Sequence, residues 1–184
     1  MLYTRKGDDG KTKTFGCDQR ISKSSAIAEA LGSLDEINSF LGLCKVKAQK
    51  EKFLLPSGES VAEVVHGVQE NLFIIQAELA GASMSINNEK IKELEKMIDE
   101  IEKELPPIKS FFISGGTKLA VYFDFARTLA RRAERRVVAV SEENKTEVSD
   151  FTKAYLNRLS SLLYALARLT NHKFGINEES PDYQ

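Results

Sequence analysis

The four prolines of this chain leave long stretches free of any helix breaker. Pro56 stands in one gap, Pro106 and Pro107 in a second, and Pro181 near the end. A proline inside a helix costs about 3 kcal/mol, so the intervals between them can be helical throughout. Their apolar residues return every three or four positions, the spacing of one helix face. Residues about 24–48 carry Ile27, Leu31, Leu34, Ile37, Leu41 and Cys44, and residues about 60–82 carry Val61, Val64, Val65, Val68, Leu72, Ile75 and Leu79. Residues about 89–105 follow with Ile91, Leu94, Ile98, Ile101 and Leu105, and residues about 117–141 with Leu119, Tyr122, Phe125, Ala126, Leu129, Ala133, Val137 and Val140. The last stretch, about 149–173, has Phe151, Tyr155, Leu159, Leu162, Leu166 and Leu169. The β-branched valines at 61–68 favour a strand, but their spacing outweighs that preference. Ser24 and Ser149 are expected N-caps. Five such helices joined by short loops predict an all-α five-helix bundle. The expected organisation is one domain over 1–184: an irregular Gly/Thr/Lys-rich segment at 1–23, the bundle at 24–174 and a tail at 175–184.

Composition narrows the function. The chain has 184 residues, 42% of them hydrophobic, with 26 Lys and Arg against 27 Asp and Glu, a net charge of -1. This argues against disorder and against a nucleic-acid binder, whose affinity comes largely from phosphate neutralisation. No run of about 18 apolar residues is present, so no membrane span is expected. The N-terminus lacks a signal-peptide apolar region. Cys17 and Cys44 are too few for a disulfide framework and have no zinc-binding spacing. A reducing cytoplasmic location is therefore the expectation, and the sequon Asn144-Lys145-Thr146 is read as chance.

The near-zero total conceals segregation. Residues 1–23 hold six cations and three acids, and residues 118–136 hold six cations and two acids. Residues 89–104 compensate with seven acids against four lysines, and the tail from Glu178 adds three acids. In the first cationic stretch, Thr4-Arg5-Lys6-Gly7-Asp8-Asp9-Gly10-Lys11-Thr12-Lys13-Thr14, glycines let backbone amides approach an anion while hydroxyls and cations complete a cradle. A Walker loop needs glycine five residues before Gly10, where Arg5 stands. This is a phosphate cradle of another kind, or a plain polar terminus. In the second stretch Arg127, Arg131 and Arg135 fall on one helix face at intervals of four. Stacked like charges repel unless an anion or carboxylates answer them, and guanidinium forks suit phosphate. A solvated basic face, with Arg127 paired to a carboxylate of another helix, is the alternative. The segment Phe111-Phe112-Ile113-Ser114-Gly115-Gly116-Thr117 is irregular and precedes that helix. Asp35, between apolar positions, faces the core, an interface or solvent. Asn157 is either a packing amide or a ligand contact. Glu63-Val64-Val65-His66 matches half of a di-iron signature, but the other histidine, His172, has Leu169 where the second glutamate belongs.

Taken in order along the chain, these pieces resemble the PduO-type corrinoid adenosyltransferases. The resemblance rests on Tyr3 to Gly10, Arg20-Ile21-Ser22-Lys23, the stretch Gly32 to Gly42, Gly115-Gly116-Thr117, Ala126-Arg127-Thr128 through Arg131-Arg132-Ala133-Glu134-Arg135-Arg136, and Tyr155 to Ser160. It implies a five-helix bundle assembled as a homotrimer with active sites between subunits. It also implies transfer of the 5′-deoxyadenosyl group of ATP to the cobalt of cob(I)alamin, releasing triphosphate with Mg²⁺ in attendance. By motif match, Thr4, Arg5, Lys6, Gly7, Thr12, Lys13 and Lys23 would bind ATP, joined by Arg131, Arg132, Glu134, Arg135 and Asn157. Asp35 and Arg127 match a pair that bridges the subunit interface. Phe111 matches the aromatic residue that displaces the corrinoid's lower axial ligand. A reductase partner would supply the electron that forms cob(I)alamin. Because cob(I)alamin is itself the nucleophile, such an enzyme needs no side-chain base, which suits a chain with two histidines. The chain departs from the pattern at Asp124, where histidine is common, at Ser114, where proline is common, and at Lys6, where threonine is frequent. A helical module that binds ATP without catalysis is the competing expectation, and a di-iron bundle a third.

Overall fold

The computed structural model describes residues 2–14, 20–143 and 146–183. Cys17 and the first two residues of the sequon lie outside them. Five helices dominate: α1 (Ala26–Glu51), α2 (Val61–Leu79), α3 (Asn88–Glu104), α4 (Lys118–Glu142) and α5 (Asp150–Lys173). The valines at 61–68 are helical, so spacing decides over β-propensity there. Ahead of α1, two short strands pair antiparallel, β1 (Lys11–Lys13) and β2 (Arg20–Ser22), with Thr12 opposite Ile21.

The first predicted cap moves by one residue. Ser25, not Ser24, caps α1 by accepting from the Ala28 amide. Ser24 instead shares a 2.8 Å hydrogen bond between its hydroxyl and that of Ser22. Ser149 caps α5 as expected, accepting from Thr152, and Thr117 caps α4 from Ala120.

The helices pack in the sequence α2–α1–α4–α5–α3, so α1, α4 and α5 occupy the middle. Leu34, Ile37, Leu41, Phe123, Ala126, Ala130, Ala133, Leu159 and Leu166 are buried there. Alanines at the α4 positions facing α1 and α5 let the three backbones approach closely. Two residues whose spacing suggested burial are left outside by the fold. Phe125 is 52% exposed and Phe151 48% exposed. The apolar stripe of α4 is wide, and Leu119, Phe123, Ala126, Ala130 and Ala133 go inward while Phe125 does not. Phe125 packs edge-on to Phe40 of α1 at 4.9 Å, on the outer side.

Buried polar groups are answered across elements. The Tyr155 hydroxyl accepts from Asn71 Nδ2 at 3.1 Å, and Lys90 Nζ donates to Asn71 Oδ1 at 2.6 Å. Burial pushes the Tyr155 hydroxyl well above its ordinary pKa, although Asn71 opposes the shift. Burial likewise pushes the Cys44 thiol up to about 12, leaving it a small core group and no nucleophile. The tail does not extend freely. Ile113 N donates to the Glu179 carbonyl at 2.8 Å, and the hydroxyls of Ser110 and Ser180 lie 2.6 Å apart. Among the described residues no helix is long and apolar enough to cross a membrane.

Candidate active site

A cleft of about 850 Å³ lies between the 108–116 segment, α4, α5 and residues 176–179. Its position follows from local sequence. The two prolines at 106–107 end the α3 region, and the chain stays irregular until Thr117 starts α4. Gly116 makes the final turn at φ +93°, a backbone conformation that favours glycine. Asn171 of α5 fastens this turn, accepting from Thr117 N at 3.0 Å and donating to the Gly115 carbonyl at 3.0 Å. Phe111 is 81% exposed on the cleft wall, with Phe112 and Ile113 beside it. Asp124, Arg127 and Arg131 of α4 face them, with Ser160, Ser161 and Tyr164 of α5.

Three site residues named from the sequence therefore meet at one cleft: Phe111, Arg127 and Arg131. Arg127 does not reach Asp35 within the subunit. Its Nε donates to Asp124 Oδ1 at 2.7 Å, and its guanidinium lies 6.0 Å from the Tyr164 ring centre. The alternative of a carboxylate on another helix is thus replaced by one on the same helix, three residues back. The acid at position 124 holds Arg127 against the cleft wall. Asp35 is exposed, which removes the core-facing option.

The other arginines of α4 divide into two groups. Arg132 pairs with Glu36 of α1, and Arg136 lies 3.7 Å from Glu29. Among the described residues Arg131 and Arg135 have no carboxylate partner, and both are exposed. Glu134 is turned toward α5, accepting from Asn157 Nδ2 at 3.0 Å. Asn157 Oδ1 accepts from Arg158, which pairs with Glu95 of α3 at 2.9 Å. Glu134 and Asn157 thus form one link, with two unanswered guanidinium groups beside it.

The N-terminal candidates form a separate cluster. Lys23 Nζ donates to the Gly7 carbonyl at 2.8 Å. Arg20 donates to both carboxylate oxygens of Asp9, at 2.8 and 2.7 Å, and also to the Lys6 carbonyl. The hydrogen bond from the Arg20 guanidinium holds the Asp9 carboxyl below the usual carboxylate range. The Lys6 amide donates to Thr4 Oγ1 at 3.4 Å, and Arg5 adopts φ 59°, unusual for a residue with a side chain. Thr12 and Lys13 lie on β1. Among the described residues, none of the hydrogen bonds or ion pairs of Arg5, Lys6, Gly7, Thr12 or Lys23 reaches α4. The loop is held together by the Arg20–Asp9 pair and by the hydrogen bond from Lys23 to Gly7.

Among the described residues no group of three or more His, Cys, Asp or Glu is placed to hold a metal ion. Glu63 and His66 lie on the exposed face of α2, and His66 sits 3.7 Å from Glu70 of the same helix. The sequence reading missed Arg168, Glu178 and Asn171. The signal for Arg168 was a lone cation inside the apolar run Leu166-Ala167-Arg168-Leu169, where a buried charge requires a partner. That partner, Glu178, lies in the tail.

Five packed helices carry an aromatic cleft, with two guanidinium groups beside it that have no carboxylate partner among the described residues. The chain belongs to the cobalamin adenosyltransferase family, which residues 2–170 match. It is 40% identical over 178 residues to the corrinoid adenosyltransferase PduO of Citrobacter freundii, covering 93% of this chain and 50% of that protein. The chain thus spans about half the length of the PduO relatives it matches. It is 36% identical over 181 residues to the corrinoid adenosyltransferase of Bacillus subtilis, covering 96% of this chain and 90% of that one. A variant PduO-type ATP:corrinoid adenosyltransferase from Lactobacillus reuteri, solved with cobalamin and ATP, superposes with a TM-score of 0.86 at 27% identity, covering 100% of this chain and 97% of that chain.

Proposed function

We propose that this protein transfers the 5′-deoxyadenosyl group of ATP to the cobalt of cob(I)alamin, releasing triphosphate. The observation that carries the reading is the juxtaposition of Arg131, without a partner among the described residues, and Phe111 on one cleft. A triphosphate leaving group needs fixed positive charge where its negative charge develops. Arg131 and Arg135 supply it, and the Glu134–Asn157 link holds this stretch of α4 against α5. The corrinoid ring suits the wall of Phe111, Phe112 and Ile113. Phe111, in the apolar position below cobalt, would exclude a lower axial ligand and ease reduction of Co(II) to Co(I). The cobalt lone pair then attacks ribose C5′ and the C5′–oxygen bond breaks, with no proton to transfer. The protein's task is alignment of the two substrates.

The cradle of Thr4, Arg5, Lys6, Gly7, Thr12, Lys13 and Lys23 would grip the remainder of ATP. We assign it to the arginines of a neighbouring subunit in a homotrimer. Asp35 and Arg127 would pair across that interface. Mg²⁺ is a hard cation that binds through phosphate oxygens, waters and one or two carboxylates. Glu134, which accepts from Asn157 through one oxygen, would offer the other to the ion. The reading also includes a cytoplasmic location and a reductase that delivers the electron.

The test is formation of adenosylcobalamin from ATP and chemically reduced cobalamin, followed by absorbance, with cobinamide run in parallel. Arg131→Ala should lower kcat by about 10²–10³ with an unchanged helical circular dichroism spectrum. A wild-type protein that binds ATP but leaves the corrinoid spectrum unaltered would instead be a non-catalytic ATP-binding module.

A further inference from the structure

One buried side chain joins several parts of one cleft wall. Arg168 of α5 is 6% exposed. Its Nε and one terminal nitrogen donate to the two carboxylate oxygens of Glu178 at 2.7 and 2.8 Å. The same terminal nitrogen donates to the Pro106 carbonyl at 3.0 Å, and the guanidinium lies 5.2 Å from the Phe112 ring centre. One group thereby ties together α5, the start of the aromatic segment, its centre and the tail.

The tied segments have few apolar anchors of their own. Ile108, Lys109, Ser110, Phe111, Ile113 and Ser114 are all exposed, as are the tail residues at 175–177 and 179–180. A buried ion pair is a weak source of stability compared with an apolar pair of similar volume. Its contribution here is geometric, because a bidentate fork accepts one arrangement of its partners. With Glu178 fixed, the Ile113–Glu179 and Ser110–Ser180 hydrogen bonds close the tail over the aromatic segment.

We propose that Arg168 is a positioning residue for the corrinoid side of the reaction. It sets the placement of Phe111 through its hold on Pro106, Phe112 and Glu178, and the tail from Asn177 to Ser180 acts as a strap completing the wall. The proposal rests on the adenosyl-transfer reading for its kinetic consequence but not for its structural one.

Two variants test it. Glu178→Gln keeps the shape of the tail residue and removes its charge, and it lies outside every helix. Arg168→Lys keeps the charge and loses the fork. Each should raise amide hydrogen exchange at 108–113 and at 176–180 together by about tenfold or more, with the helices unchanged. Each should raise KM for cob(I)alamin about tenfold while KM for ATP moves less than about twofold. Unchanged exchange at 108–113 in both variants would overturn the latch, as would KM values for the two substrates rising in step. A wild-type protein without transfer activity would overturn the functional reading alone, and the exchange data would still decide whether Arg168 holds the wall.

Discussion

Gly116 has no room for a β-carbon. An added one would come 2.2 Å from Asn171 Oδ1 and 2.7 Å from Nδ2, at a backbone φ of +93° that itself disfavours a side chain. Asn171 cannot withdraw without releasing Thr117 N and the Gly115 carbonyl. Gly116→Ala should therefore cost about 2 kcal/mol or more, read as a lower midpoint in urea. Gly115, with open space around it, should tolerate alanine in the same measurement. The pair of glycines was plain in the sequence as a break before a helix. That the second alone is sterically obligatory was not, because the obstructing amide comes from α5, 55 positions away by the numbering of Asn171 and Gly116. Arg127 follows the same pattern. Its row of three arginines was legible from spacing, whereas its partner Asp124 depended on which rotamers the packed helix allows.

Helix ends depend on side chains from other elements as well as on their own caps. Glu78 at the end of α2 is buried, yet its carboxylate accepts from Ser149 N at 2.7 Å and from Thr152 Oγ1 at 2.5 Å. It places a negative charge at the N-terminus of α5, where unpaired amides and the helix dipole favour one. Glu78→Ala would leave both donors unanswered in a buried place. The expected loss is about 2 kcal/mol, measurable by thermal melting, with α5 amides exchanging faster first. The five helices themselves were readable from the chain, each within a few residues of its observed ends. Helical spacing is a local property, and the prolines lie outside every helix. The β1–β2 pairing was not foreseen, because strands of three residues leave too short a pattern.

At the scale of the whole molecule, the exposed outer surface of α1 and α4 carries Leu43, Val46, Val121 and Phe125. Asp35 lies on α1 and the Asp124–Arg127 pair on α4. If a neighbour covers this surface as the proposed trimer requires, Asp35→Lys would set a cation against Arg127. Sedimentation should show a mass three times that of the chain for the wild type and a shift toward monomer for the variant. An unchanged profile would count against an interface role for Asp35. The sequence by itself determined the helices, the two cationic segments hidden within a net charge of -1, and the family, since all of these are written in local spacing and in ordered motifs. Only the tertiary structure decided which cations are spoken for. Arg132 and Arg136 go to acids of α1, Arg127 to Asp124 and Arg168 to Glu178, leaving Arg131 and Arg135 without partners among the described residues. The Arg127–Asp124 pair follows a helical interval of three, but the pairs of Arg132, Arg136 and Arg168 join segments that approach only once the helices have packed.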